Sequence, residues 1–355
     1  MPAEKLSVEE CIMRNKVLPP SLVYVNDSMP GYKRNRSGDR FSYQDNLGNE
    51  ITDEKVLERI KNLAVPPMWK SVWICPRARG HIQATGRDAR GRKQYIYHSK
   101  WTVSISEQKY DSLLSFALCL PQMREKMEKA LRKRKWEKEK VLALAVSLMD
   151  EAYLRVGNKY YEEENGTYGL TTLRRKHLKD DKDGLILKYT AKSGKLRRVE
   201  IRDVRLQRLI RVCSELPGHE IFRYQAGGGF YPITSQDINE YLCKISGSSF
   251  TAKTFRTWGG TVLAVKLEPE ARLICEQNPR KKKDTTLIRL VARGLNNTVS
   301  VCRKYYIHPL VLESMINGTV TQYLPVPEEN SVRYNEEERI VIRILKKAEN
   351  GRNPK

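Results

Sequence analysis

The sequence is short of the residues from which metal centres and disulfide frameworks are built. Its seven cysteines run from Cys11 to Cys302 without a CxxC spacing, and its five histidines (His81, His98, His177, His219 and His308) stand apart from one another. An odd, scattered cysteine set argues against a disulfide framework and fits a reducing compartment. No His/Asp/Glu cluster has metal-ligand spacing, and no GxxxxGK[ST] loop is present. AGGGF at 226–230 lacks the Lys-Ser/Thr pair and reads as a plain turn. The chain is therefore expected to need neither a metal nor a nucleotide cofactor. Long apolar runs are also missing: VLALAVSLM at 141–149 is the longest, against the roughly 18 residues of a membrane span. MPAEKLSVEECIMRNK lacks the apolar centre of a secretory signal, so the protein is expected to stay where it is made, away from membranes.

Acid is in deficit as well. Forty-two Asp and Glu face 65 Lys and Arg, a formal charge of +23. Basic clusters such as RKRK at 132–135 and RKKK at 280–283 are scattered along the chain instead of forming a tail. A wide positive surface of this kind suits a polyanion, most often nucleic acid, whose phosphates it can follow.

At 355 residues there is room for two ordinary domains. Residues 1–20 read as an N-terminal extension ending in Pro19-Pro20. From 21 to 103, the short runs SLVYV, RFSYQD, SVWIC, GHIQAT and QYIYH alternate with turn sequences. One helix interrupts them, DEKVLERIKNLAV, capped by Thr52 or Asp53. From 104 to 355 the period becomes helical, with a predicted break at Pro121 and a charged stretch, 123–140, expected as a solvated helix face. GLILKYT and KLRRVEI, joined through Ala191-Lys192-Ser193-Gly194, form a predicted hairpin within it. Helices then resume in VRLQRLIRVCSE, SQDINEYLCKIS, KTFRTWGGTVLAVKL, KKDTTLIRLVARGL and NEEERIVIRILKKAEN. The expected class is α+β: a small β-rich N-terminal domain followed by a larger, mainly helical one.

The stretch VSVCRKYYIHPLV, 299–311, sets two tyrosines behind an Arg303-Lys304 pair. Attack by a tyrosine on a phosphodiester makes definite demands. The phenol, with an ordinary pKa of about 10, needs positive surroundings. The transition state needs fixed donors on its nonbridging oxygens, arginines above all. The leaving 5′ oxygen needs a proton. Candidates exist for each part. Arg155 closes an apolar helix where Gly157-Asn158 breaks it; such an arginine either pairs a carboxylate, the reading spacing alone favours, or offers its fork to a ligand. Arg256 lies between Phe255 and Trp258, three residues after Lys253, and a packed helix end would look similar. Lys192 sits at the hairpin tip, where most lysines are merely solvated. Asn297 lies in a turn whose Thr298 can cap the tyrosine helix.

Taken in order, five stretches resemble one family. PGYKRNRSGDRFSYQDNLGNEITDEKVLERIKNLAVPPMWKSVWICPRARGHIQATGRDARGRKQYIYHSKW, LRVGNKYYEEENGTYGLTTLRRKHL, KYTAKSGK, FTAKTFRTWGGT and NNTVSVCRKYYIHP are similar to segments of the type IB DNA topoisomerases, of the compact bacterial and poxvirus-like class, over about residues 30–325. The resemblance implies a catalytic fold shared with tyrosine recombinases and an enzyme that relaxes supercoils through a 3′-phosphotyrosyl intermediate, without ATP or metal. It implies Tyr306 as nucleophile in preference to Tyr305; neighbours on a helix diverge by about 100 degrees, so one phenol alone can face a phosphate. Arg155, Arg256 and Asn297 are implied as phosphate donors, Lys192 as general acid and Lys253 as a secondary phosphate contact. Gln94, Tyr95 and Tyr97 are implied against duplex DNA, although strand alternation sends Gln94 the opposite way and would allow the tyrosines to be core. A monomer is expected, nucleoid-associated in a bacterium or in the virion or viral factory of a virus. The sequence departs from poxvirus-type and eukaryotic members in one place: nine residues before the nucleophile they carry His, where this chain has Asn297, as similar bacterial enzymes do. A tyrosine recombinase fits less well, because HxxR is expected there in place of Lys253-Thr254-Phe255-Arg256 and its N-terminal domain is helical. A noncatalytic clamp would not need all five catalytic positions filled.

Overall fold

The computed structural model describes residues 18–38, 40–89, 91–181, 184–319 and 334–352; most of the expected N-terminal extension lies outside them. The described residues up to Lys109 form one compact unit, and those from Tyr110 onward form a second.

The first unit is an antiparallel sheet. Its strands are β1 (Tyr32–Ser37), β2 (Arg40–Gln44), β3 (Lys70–Ile74), β4 (Ile82–Arg87) and β5 (Lys93–Tyr97), in the order β2-β1-β3-β4-β5. Helix α1 (Glu54–Asn62) is inserted between β2 and β3, and its cap is Asp53, whose carboxylate accepts from the N–H groups of Lys55 and Val56. Ile60 of α1 packs on Val72, Ile74 and Ala84, the inward residues of the central strands. SLVYV, expected as a strand, is an extended segment holding only a bridge between Val23 and Gly80. With Pro19 and Pro20 before it, that end of the segment lacks amide donors for a longer ladder.

The second unit is mainly helical. Helix α2 (Ser99–Leu131), which belongs to it from Tyr110 onward, passes straight through Pro121. Proline removes the amide that would bond the carbonyl of Ala117. The Tyr334 hydroxyl donates to that carbonyl instead, at 2.8 Å, so the expected break does not occur. The break falls after Leu131, and RKRK occupies the turn before α3 (Lys138–Ala152). The charged stretch is accordingly not one solvated face. Met123 and Met127 are buried, and Arg124 bridges Asp150, at 2.8 Å, and Glu338, at 2.7 Å.

After α3 come α4 (Lys159–Asn165), a three-stranded sheet of β6 (Leu178–Asp181), β7 (Gly184–Thr190) and β8 (Leu196–Ile201), and α5 (Val204–Ser214). A small hairpin, β9 (Arg223–Ala226) and β10 (Gly229–Pro232), turns through Gly227 and Gly228. Then follow α6 (Ser235–Ser246), α7 (Ala252–Lys266), α8 (Glu268–Gln277), α9 (Lys283–Gly294), α10 (Val299–Tyr305), α11 (Pro309–Ile316) and α12 (Glu336–Arg352). The apolar α3 and α7 form the centre of the core, where Phe116, Phe255 and Trp258 pack edge to face. Trp258 also donates to Glu338 of α12 at 3.2 Å, tying the last helix to α7. No helix among the described residues is long and apolar enough to cross a membrane.

Candidate active site

Helix α3 ends at Tyr153, whose left-handed backbone (φ 50, ψ 42) turns the chain sharply. Leu154 drops into the core, and Arg155 begins a loop held by its neighbours. The Leu170 amide donates to the Arg155 carbonyl at 2.8 Å and the Thr171 amide to that of Val156 at 2.7 Å. The two backbone runs touch at glycine on both sides: a Cβ on Gly169 would stand 2.5 Å from the Gly157 Cα. This crossing is why LRVG and YGLTT belong together.

Three further segments meet Arg155. Helix α7 brings Arg256, 4% exposed, whose Nη1 donates to the Tyr153 carbonyl and whose Nη2 donates to the Leu295 carbonyl at 3.0 Å. The turn after α9 passes through Asn296, left-handed at φ 51, and sets the Asn297 amide on the Ala292 carbonyl at 2.8 Å. Arg155 Nη2 donates to the Asn296 carbonyl at 3.1 Å and to Asn297 Oδ1. Thr298 then caps α10, accepting from the Val301 amide at 3.4 Å. That helix unwinds at Tyr306 (φ −129, ψ −7), whose ring centroid lies 5.2 Å from Arg256 Cζ. Of the basic pair before the tyrosines, Arg303 is bound to Asp284 at 2.9 Å, and the Lys304 ammonium lies 5.3 Å from the Tyr305 ring.

The charge of this cluster is unbalanced. A third guanidinium, Arg197 of β8, is 6% exposed and donates to the Ala152 carbonyl at 2.8 Å. Among the described residues none of Arg155, Arg197 and Arg256 has a carboxylate partner. The salt bridge that spacing favoured for Arg155 is not made; its fork is held by a carbonyl and an amide, which leave its charge uncancelled. Burial, and then the like charge of Arg155, bring the Arg256 guanidinium down to about 10. Arg155 Nη1 is a buried donor without a partner among the described residues, while the Arg256 guanidinium faces the Tyr306 hydroxyl and the Asn297 amide faces the Cys302 thiol. Buried cations without counter-ions are costly and mark a place built for an anion. Donors from three segments beside one phenol can hold the nonbridging oxygens of a phosphate and present a nucleophile to it. Arg197 was not singled out from the sequence, although an arginine at an inward-facing strand position in KLRRVEI was the signal.

The remaining candidates lie outside this cluster. Lys192 stands exposed on the turn between β7 and β8 and makes no hydrogen bond or ion pair among the described residues. Lys253 is exposed near the start of α7, one turn before Arg256. In the first unit, Tyr95 and Tyr97 are outward-facing residues of the edge strand β5, exposed by 42% and 44% and stacked at 5.7 Å, so neither is core. Gln94 faces the opposite side and donates to Asp88 at 2.9 Å.

Comparison with known proteins covers most of the chain. The family model described as "Eukaryotic DNA topoisomerase I, catalytic core" matches residues 98–322, and "Bacterial DNA topoisomerase IB, N-terminal domain" matches residues 40–88. A DNA topoisomerase 1B of Acanthamoeba polyphaga mimivirus is 30% identical over 298 residues, 82% of this chain and 89% of its own. The DNA topoisomerase 1B of Vaccinia virus (strain Copenhagen) is 25% identical over 155 residues, 41% of this chain and 48% of its own, and the DNA topoisomerase I of Monkeypox virus is 24% identical over the same shares.

Proposed function

The chain belongs to the type IB DNA topoisomerases, isomerases whose substrate is DNA, and from that membership we propose how its own residues act. Tyr306 Oη attacks a backbone phosphorus, the bond from phosphorus to the 5′ oxygen breaks, and a 3′-phosphotyrosyl link forms. Arg155, Arg256 and Asn297 hold the nonbridging oxygens, and Lys253 contacts the same phosphate from one turn earlier on α7. Lys192 gives its proton to the departing 5′ oxygen; its exposed place on a hairpin tip lets it reach DNA without perturbing the cluster. The cut strand swivels, and the 5′ hydroxyl attacks back, expelling the phenolate and restoring the diester. The energy of the diester is kept in the phosphotyrosyl link, so no ATP is required; the positive side chains supply the charge that a metal would otherwise bring, and swivelling lets supercoils of either sign relax. Tyr95 and Tyr97 contact the duplex from the first unit, whereas Gln94, on the opposite face of β5 and bound to Asp88, does not share their surface. One chain carries the whole set, which supports a monomer.

The observation that carries this reading is the group of buried donors, unopposed by any carboxylate among the described residues, around the Tyr306 ring. The test is relaxation of negatively supercoiled plasmid in EDTA without ATP. Wild type and Tyr305→Phe should relax it and Tyr306→Phe should not. Relaxation by Tyr306→Phe would assign the nucleophile elsewhere, and a wild type that binds DNA but never relaxes it would leave a noncatalytic clamp.

A further inference from the structure

Helix α7 carries two consecutive glycines, Gly259 and Gly260, in its buried interior. Glycine is among the poorest residues for a helix interior, so a pair there calls for a reason. Each leaves a notch that a specific part of the active site fills. A Cβ on Gly259 would stand 2.1 Å from Cδ1 of Tyr153, the left-handed residue that turns the chain toward Arg155 and whose carbonyl accepts from Arg256. A Cβ on Gly260 would stand 2.3 Å from the carbonyl oxygen of Tyr306 and 3.0 Å from Leu295. The second contact is with backbone, which has no rotamer by which to give way. The next residue, Thr261, is fully buried; its hydroxyl accepts from the His308 amide at 3.1 Å and donates to the Thr257 carbonyl at 2.9 Å. Within less than two turns, then, α7 presents an arginine, a notch for the chain leading to the other arginine, a notch for the nucleophile's carbonyl, and an anchor two residues beyond it. Arg256 and Gly260 are four apart and share a face, which is how the Tyr306 ring comes to lie against one and its carbonyl against the other.

We propose that Gly259-Gly260-Thr261 is the seat that sets the spacing between the two arginines and Tyr306: three positioning residues, which touch neither DNA nor the reacting atoms. Gly260 and Thr261 act through the nucleophile, and Gly259 acts through the arginines. The inference rests on Tyr306 being the nucleophile.

The test uses the full chain with Gly259→Ala, Gly260→Ala, Thr261→Ser and Thr261→Val, each read by single-turnover cleavage, by noncovalent affinity for the same duplex, and by melting temperature. A misplacement of the reacting groups by about an ångström costs on the order of 100-fold in rate. Gly260→Ala should lose that much cleavage with affinity held within about threefold, because affinity is spread over many phosphate contacts. Thr261→Ser, which keeps the acceptor, should cleave like wild type, and Thr261→Val should be slow.

A duplex with a neutral methylphosphonate at the scissile position separates the two glycines. It carries no charge for the arginines to offset, so the Gly259→Ala deficit relative to wild type should shrink at least about tenfold on it while that of Gly260→Ala persists. Near-normal cleavage by Gly260→Ala, or deficits that match losses of affinity or are equal on both substrates for both glycines, would overturn the proposal. If the alanine variants do not fold, the Thr261 pair decides: equal rates for Ser and Val overturn it. Cleavage by Tyr306→Phe would instead remove the nucleophile assignment beneath the seat, a result separable from any of these.

Discussion

Replacing Arg256 by alanine separates catalysis from folding, because the structure sets large effects of opposite sign against each other in one of them and not in the other. Removing a preorganised donor from a developing oxyanion costs about 10² to 10³ in rate, or about 2.7–4 kcal/mol. Arg256 also fastens the Tyr153 and Leu295 carbonyls, which lead to Arg155 and Asn297, so the loss should fall at the upper end of that range. For folding, two hydrogen bonds from a charged donor contribute about 1.5–3 kcal/mol each. Against them stands the burial of a cation whose guanidinium falls from 12.5 to about 10, a penalty of about 3 kcal/mol that alanine relieves. These terms largely offset, leaving a net loss of no more than about 3 kcal/mol. Single-turnover formation of the covalent adduct should therefore fall about 10³-fold in a protein that still folds and binds duplex DNA at matched salt. Cleavage within tenfold of wild type, or an affinity loss as large as the rate loss, would refute the reasoning. Arg155→Ala combined with Arg256→Ala should cost less than the two separately, since both hold the same turn.

Three further outcomes follow from the geometry. Asn297 does not titrate, and Arg256 keeps its proton until the pH rises through about 10, so cleavage should be level between pH 6 and 8 and fall at the alkaline end. Asn297→His should add a dependence with a midpoint near ~6.5; a bell centred there in the wild type would contradict this. Lys192→Ala should slow cleavage about 10²- to 10⁴-fold on an ordinary diester and recover on one whose 5′ bridging oxygen is replaced by sulfur, because a thiolate leaves without a proton; an equal deficit on both would remove Lys192 as the acid. Tyr334→Phe should cost about 1 kcal/mol in urea unfolding by stripping the Ala117 carbonyl of its donor. Pro121→Ala restores an amide to that carbonyl and should diminish the cost, and failure of the two changes to couple would refute the account of the unbroken helix.

The sequence by itself determined the elements whose free energy is local. Helices α5, α6, α7, α9 and α12, the β7–β8 hairpin, the four strands from RFSYQD to QYIYH and the caps at Asp53 and Thr298 are legible because apolar period and turn chemistry act over a few residues. The roles expected of Arg155, Arg256, Asn297 and Tyr306 came from the resemblance of their stretches to a known family, since period and turn chemistry alone favoured a salt bridge for Arg155 and a plain turn at Asn297. Tertiary structure alone decided what those residues do to one another. The sequence favoured a salt bridge for Arg155; packing gave it a carbonyl and an amide, and left three guanidiniums without a counter-ion among the described residues. Pro121 reads as a helix breaker until a tyrosine more than two hundred residues away supplies the missing donor. Gly259 and Gly260 read as a weakness in α7 until the Tyr153 ring and the Tyr306 carbonyl are found in their notches. In each case the deciding partner comes from a distant segment, so its position depends on how the whole core closes, and no local window of sequence carries that free energy.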